Sequence, residues 1–169
     1  MSNRTGKLPF ESYYSFRFAE EILSSKYPEV VREIRHVTTD HLKDFDPHGK
    51  GENRPHKVIQ RAFKENAGWN TEEPISKKIK KKHDLFKNQI AIEIETTNIS
   101  GTYRDYLKFL KSFNEGKIDL GILIIFSDKF IKKHYPKGRN PKLSRVRNDL
   151  ELFRLIIPVP ILVIALDIQ

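Results

Sequence analysis

The chain has 169 residues, 31 Lys and Arg against 22 Asp and Glu, and no Cys, for a formal net charge of +9. This length suits one domain with a real hydrophobic core, and 38% hydrophobic residues exclude a disordered polyelectrolyte. The absence of Cys excludes disulfides, thiolate metal sites and thiol nucleophiles, and it fits a cytoplasmic protein. A pI near 9.6 makes a polyanion the expected partner, with nucleic acid ahead of an anionic membrane.

The opening segment, MSNRTGKLPFESYY, has no apolar core of signal-peptide type. Residues 10–25 place Tyr14, Phe18 and Ile22 at helical spacing before Pro28, which predicts a helix. A second helix is predicted over 55–66, with Pro55 at its start and Gly68 after it. Between them DFDPHGKGENRP reads as a loop. Residues 78–85 and 89–97 are predicted strands, joined by a tight turn at Lys87-Asn88 or by a four-residue loop.

Residues 102–115 are predicted helical, with Tyr103, Tyr106, Leu107, Leu110 and Phe113 on one stripe and Gly116 ending it. The run DLGILIIF (119–126) is apolar throughout, as a strand covered on both faces would be. A loop of mixed charge is expected over 127–143, then a helix over 144–156 and a strand over 160–168. The longest apolar run, 155–166, is too short to span a bilayer and is broken by Pro158 and Pro160, so no membrane partner is expected. Strands linked through helices imply parallel neighbours, so the expected fold is α/β, a mixed sheet with an antiparallel hairpin and helices on both faces. Residues 1–169 are read as one domain, with a helical part over 1–68 and a core over 69–169.

Within the hairpin, HDLFKNQIAIEIE (83–95), strand alternation sends Ile90, Ile92 and Ile94 to one face and Ala91, Glu93 and Glu95 to the other. A turn at Lys87-Asn88 would set Asp84 opposite Ala91 and diagonal to Glu93, and a four-residue loop would set it directly opposite Glu93. Either register gathers Asp84, Glu93 and Glu95 within roughly 5 to 8 Å, where they repel one another unless one is protonated or a cation sits between them. All-oxygen ligation favours Mg²⁺, with the Ile94 carbonyl as a further donor. The plain alternative is an edge strand with a solvent-facing acidic side. Against it stands KKIKKKH (77–83), five lysines and a histidine directly upstream, which would hold phosphates beside a metal.

Asp84 and, nine positions on, Glu93-Ile94-Glu95 resemble the motif of PD-(D/E)XK nucleases. The lysine-free form is similar to the BglII/BstYI and BamHI group of type II restriction endonucleases. The resemblance covers about residues 66–168 and includes the succession of helix, LGILIIF, loop, helix and VPILVIAL. It implies a restriction-endonuclease-like core in which Asp84, Glu93 and the Ile94 carbonyl hold Mg²⁺. Glu95, where most of the superfamily has lysine, would orient or deprotonate the attacking water. Members of the group carry one more polar residue before the hairpin, for which Glu72 is preferred over Glu73. The implied reaction is hydrolysis of both strands of double-stranded DNA at a short palindromic site, with GATC at its core, leaving 5′-phosphate and 3′-hydroxyl. Cutting both strands of such a site implies a C2 homodimer.

Lys80, Lys81 and Lys82 are the candidate phosphate contacts, while Asn98, Ser100, Arg139 and Asn140 have the chemistry to read base edges. Each of these is also an ordinary surface residue by type. Six histidines without HExxH spacing give no zinc site, and no GxxxxGK[ST] occurs, so no nucleotide cofactor is expected. Two other readings remain at this stage: another PD-(D/E)XK nuclease serving repair or recombination, and a non-catalytic basic DNA-binding module.

Overall fold

The computed structural model describes residues 8–42, 45–77 and 79–168, so Lys78 of the basic run lies outside the described residues. Strand β1 (Tyr13–Phe16) precedes helices α1 (Ala19–Lys26), α2 (Pro28–Asp40) and α3 (Pro55–Ala67). Strands β2 (Asn70–Ser76), β3 (Ile79–Lys87) and β4 (Ile90–Ile94) follow, then helix α4 (Ile99–Asn114) and strand β5 (Leu120–Phe126). Helices α5 (Asp128–His134) and α6 (Leu143–Leu152) and strand β6 (Ile161–Leu166) complete the order.

The six strands form one sheet in the order β1-β6-β5-β4-β3-β2. β4, β5 and β6 run parallel, while β2, β3 and β1 add antiparallel pairings at the two sides. This mixed sheet flanked by helices is the α/β architecture expected. Its centre is dictated by β5, whose seven residues are all buried, as a run without a polar side chain requires. Ile90, Ile92 and Ile94 share a core with Leu23, Ile34 and Phe63 of α1, α2 and α3. Ala91, Leu123, Ile125 and Val163 share the other with Tyr106 and Phe109 of α4 and Val146 and Leu150 of α6. Among the described residues no helix is long and apolar enough to cross a membrane.

Several local expectations change. The helix predicted over 10–25 is strand β1 followed by α1, joined through Arg17 and Phe18 at φ 53° and 60°. Tyr13-Tyr14-Ser15-Phe16 is a good strand sequence, and it covers the free edge of β6, burying Phe16 while Phe18 stays 75% exposed. Pro28 opens α2 at its first turn instead of ending a helix. Residues 70–76, unassigned in the sequence, pair with β3 as β2. The loop expected over 127–143 contains α5, capped by Ser127, whose side chain accepts from Phe130 N–H at 3.0 Å. Helix α4 buries Thr102, Asp105, Tyr106, Phe109 and Ser112, a face rotated away from the predicted stripe; Leu107 is 65% exposed.

The hairpin pairs Leu85 with Ile92, Phe86 with Ala91 and Lys87 with Ile90. The turn is therefore Asn88-Gln89, one position later than Lys87-Asn88, and continuing the register sets Asp84 level with Glu93. Asn88 and Gln89 lie at φ 49° and 62°, as both central residues of a type I′ hairpin must. Glutamine is strained there, whereas glycine is not. Gln89→Gly should raise folding stability by about 0.5 to 1 kcal/mol, read from urea midpoints at unchanged slope.

Candidate active site

Beyond Leu85 the strands β3 and β4 part. The Ile94 N–H donates to Asp84 Oδ2 at 2.8 Å, and the Asp84 carbonyl accepts from Gln60 Nε2 of α3, also at 2.8 Å. Side chains thus satisfy backbone groups that an unbroken ladder would pair, and the gap stays open without buried unpaired polar atoms. A cavity of about 220 Å³ occupies it, lined by Asp84, Ile94, Glu95, Arg54, His56 and Lys108, among others.

Glu93 projects from β4 toward α4 with its side chain fully buried. Its Oε1 is 2.6 Å from His83 Nδ1, and its Oε2 contacts the Lys108 ammonium. Burial and then the charge of Asp84 raise its carboxyl to about 8, against the pull of Lys108. His83 is itself buried and stacks on Phe109, with ring centroids 6.1 Å apart. Burial, and then Lys108 and Lys117, lower its pKa to about 4, so the ring is neutral near pH 7. A neutral ring that donates Nδ1–H to Glu93 accepts at Nε2 from the Ser112 hydroxyl, 2.7 Å away.

Asp84 lies lower than an ordinary carboxylate. Burial pushes it up, but His56, with Nε2 3.4 Å from Oδ1, and the Ile94 N–H outweigh that. His56 is correspondingly raised, because Asp84 overcomes the effect of burial. Across the strand pair, then, one carboxyl is held ionised and the other is pushed toward its neutral form.

Glu95 does not join them as strand alternation predicts. β4 ends at Ile94, and the Glu95 Oε1 turns toward the start of α4, accepting from Thr97 N–H at 2.9 Å, Thr97 Oγ1 at 2.8 Å and Asn98 N–H at 3.0 Å. Its Oε2 stands 3.6 Å from Arg104. Gly101 makes room, since a Cβ there would come within 1.7 Å of that oxygen. Among the described residues no group of three or more His, Asp and Glu side chains converges as a metal cluster. The three carboxylates therefore do not converge as one cluster: Glu95 lines the same cavity as Asp84 but commits Oε1 to the start of α4.

The structure separates Glu72 from Glu73. Glu72, at φ 57°, accepts from Gln60 Nε2 at 3.0 Å, and that same amide reaches the Asp84 carbonyl. Gln60 also holds its carboxyl low, against the effect of burial. Glu73 instead pairs with Lys117 at 3.1 Å. Lys80, Lys81 and Lys82 are exposed on β3, immediately before His83-Asp84. Asn98, Ser100, Arg139 and Asn140, scattered in sequence, come together. Asn98 bridges to Arg139, Ile99 N–H donates to the Arg139 carbonyl at 2.8 Å, and Asn140 Nδ2 donates to the Thr96 carbonyl at 2.5 Å. Asn98 caps α4 by accepting from Ser100 N–H at 3.0 Å, so its amide and that of Asn140 are already engaged in holding the junction.

The donor set suits a hard divalent cation. Asp84, Glu93 and the Ile94 carbonyl offer oxygen alone, and Mg²⁺ characteristically takes one or two carboxylates and leaves other positions to water and phosphate. A buried carboxyl raised by its neighbour's charge is also stabilised by any cation placed between them.

Residues 12–166 match the family model described as restriction endonuclease BglII/BglIII. The chain belongs to that family. The family's members are restriction endonucleases, hence hydrolases. No curated protein matches the sequence. The chain is similar in fold to restriction endonuclease BglII complexed with a DNA 16-mer, with a TM-score of 0.68 and 20% identity over 94% of this chain and 78% of that one. Free BglII is similar too, with a TM-score of 0.58 and 18% identity over 94% of this chain and 79% of the other.

His56, Gln60, His83, Asp105 and Lys108 carry much of the site's geometry and were not singled out by sequence. Asp105 and Lys108, three apart on a helix, had a visible signal as a charged pair beside the apolar stripe. His56 and Gln60 gave none, because α3 meets Asp84 through tertiary packing.

Glu93 has a folded pKa above its unfolded one, so folding takes up a proton and that stability is lost as pH rises from about 4.5 through about 8. Glu93→Gln cannot ionise. In chelator, its stability relative to the parent should therefore improve by more than about 1 kcal/mol between pH 5 and pH 8. A pH-independent difference in urea midpoints would contradict this.

Proposed function

We propose that this chain is a Mg²⁺-dependent type II endonuclease of PD-(D/E)XK type, similar in its motif to the BglII/BstYI group, which hydrolyses both strands of double-stranded DNA at a short palindromic site. The observation that carries this reading is the Asp84–Glu93 pair at the parting of β3 and β4, inside a chain that matches a restriction-endonuclease family over residues 12–166. Asp84, Glu93 and the Ile94 carbonyl would hold Mg²⁺, which when bound supplies positive charge to the reacting phosphate and lowers the pKa of water.

The chain's own residues set the rest. Asp84, held ionised by His56 and the Ile94 N–H, remains an oxygen donor at neutral pH. Glu93 is fixed in one rotamer by His83 and Lys108. Glu95 keeps Oε2 on the cavity wall, where it orients the attacking water, while Oε1 fixes the turn. Glu72 steadies the Asp84 backbone through Gln60. In the reaction the water oxygen bonds to phosphorus, the bond from phosphorus to the 3′ oxygen breaks, and that oxygen takes a proton. The products are a 5′-phosphate and a 3′-hydroxyl.

Lys80, Lys81 and Lys82 present solvent-exposed charge to the phosphates, and the Asn98–Asn140 junction presents Ser100 and Arg139 toward the bases. Purified protein with Mg²⁺ should cut unmodified phage DNA into discrete fragments with 5′-phosphate ends, and sequencing the ends tests for a GATC core. Smearing or structure-dependent nicking would instead favour a repair nuclease. Asp84→Ala should lower cleavage about 100-fold or more while DNA binding survives, because lost carboxylate charge lessens repulsion of phosphate. Cleavage at the parental rate would remove Asp84 from the site.

One site per chain and two strands to cut call for two copies. The exposed apolar surface that fits a second copy joins α4 to the end of α6, with Leu107 at 65%, Leu155 at 98% and Ile156 at 66% exposure. Tyr103, Tyr106, Leu110 and Phe153 line a groove of about 300 Å³ within it. Sedimentation should show a particle of twice the 19.9 kDa chain, and Leu107→Lys should shift it toward one copy and slow double-strand cutting. A parent that sediments as a single chain on its DNA would reject the homodimer.

A further inference from the structure

We propose that Lys108, carried by α4, supplies the positive charge that the strand motif lacks and presents it to the scissile phosphate, with Asp105 as its positioning partner. This rests on the nuclease reading above. The strand's third motif position is Glu95, an anion whose Oε1 is committed to the start of α4. A carboxylate there cannot offset the charge that gathers on phosphate oxygens during hydrolysis.

Four cationic or potentially cationic side chains line the cavity: Arg54, His56, Arg104 and Lys108. Arg54 is exposed, and Arg104, 58% exposed, reaches Glu95 and Asp105 only at 3.6 and 3.9 Å. Water screens such groups. His56 is paired with Asp84 at 3.4 Å and is charged only when protonated. Lys108 differs on both counts. Its side chain is 11% exposed, and its ammonium contacts Glu93 and stands 3.0 Å from Asp105 Oδ1.

The second anchor matters. Asp105 is buried on the same helix face, one turn back, and burial followed by the charge of Glu93 raises its carboxyl to about 7. A lysine held by Glu93 alone would lose its place once a divalent cation took that carboxylate. Held also by Asp105, it stays at the cavity wall, with an ammonium proton free for a phosphate oxygen. Lysine has three such protons on a flexible stem, so two carboxylate contacts leave one to offer. It follows that Lys108 and a divalent cation compete for Glu93 before DNA arrives and cooperate on the phosphate afterwards.

The test pairs a binding measurement on the DNA-free protein with a cleavage measurement. In calorimetric titration with Mn²⁺, Lys108→Met should bind about threefold more tightly or better than the parent, because a competing positive charge is gone. A lysine that merely braces the fold would give weaker binding when removed. Single-turnover cleavage of phage DNA at saturating Mg²⁺ should fall about 100-fold in Lys108→Met, with DNA affinity measured in Ca²⁺ unchanged, and Lys108→Arg should recover part of the rate. Asp105→Asn, which keeps the lysine and the shape of its anchor, should cut about tenfold more slowly at unchanged DNA affinity.

The proposal fails if Lys108→Met cuts within about threefold of the parent, if its Mn²⁺ affinity drops, or if Asp105→Asn cuts at the parental rate. Should Lys108→Met not fold, the Asp105→Asn arm decides. A parent that binds no Mn²⁺ and cuts no DNA overturns the nuclease reading and this inference together, whereas a parent that does both while the variants match it overturns this inference alone.

Discussion

A carboxyl group with no exposure to water, that of Glu93, is the constraint on which the rest of the site depends. β4 lies inside the sheet between β3 and β5 and is covered on both faces, so every side chain it carries is taken out of water. An isolated buried carboxylate is among the most costly groups a fold can hold. The structure offsets that cost on one side with His83 and on the other with Lys108, and those two contacts bring β3 and α4 to fixed positions over β4. Asp84, from the opposite strand, works against them by adding a second negative charge. The site is therefore tense in a specific sense: its carboxyl pair is better satisfied by one more cation than by the protein alone.

The parting of β3 from β4 is what makes room for that cation and for a phosphate. Regular pairing would have closed the gap through the Ile94 N–H and used the Asp84 carbonyl, which faces β2, on the other side of β3. The Asp84 carboxylate and the Gln60 amide take those two groups instead, so the fold opens at low cost. Gln60 also holds Glu72, which ties β2 and α3 to the same point. An acid placed near the start of such a hairpin therefore has two duties, one to backbone geometry and one to chemistry, and the first explains why its charge is kept so firmly.

Much of this was legible in the sequence, for identifiable reasons. Period-two alternation in IAIEI placed the isoleucines and Glu93 on opposite faces correctly, because β4 is short, central and regular. The apolar run of β5 announced a doubly covered strand. Where the reading failed, a second force overrode the local pattern. Glu95 left the alternation because the chain turns into a capped helix directly after Ile94. Tyr14, Phe18 and Ile22 kept a helical spacing, yet the free edge of β6 drew residues 13–16 into the sheet. The apolar stripe of α4 was real, but the core took the neighbouring face, with Thr102, Asp105 and Ser112, because His83 and Glu93 needed polar partners there. Contacts such as His56 with Asp84 join segments 28 residues apart, and no local pattern encodes them.

Helix α4 joins these observations. Its first turn is fixed by Glu95 and Asn98, and it abuts the Arg139–Asn140 loop, so the segment proposed to face the bases is tied by hydrogen bonds to the motif strand. Its inward face delivers Lys108 and Asp105 to Glu93. Of its apolar stripe Tyr106 is buried and Leu107 is exposed, and that outer side is the surface proposed for a second copy. One helix so placed has contacts in three places: its start meets the Arg139–Asn140 loop, its inward face meets the carboxyl pair, and its outer side carries the exposed Leu107. α4 is seated on the sheet through Tyr106 and Phe109. In the proposed nuclease a single element thus sets the position of the reacting groups, the base-facing loop and the subunit surface at once.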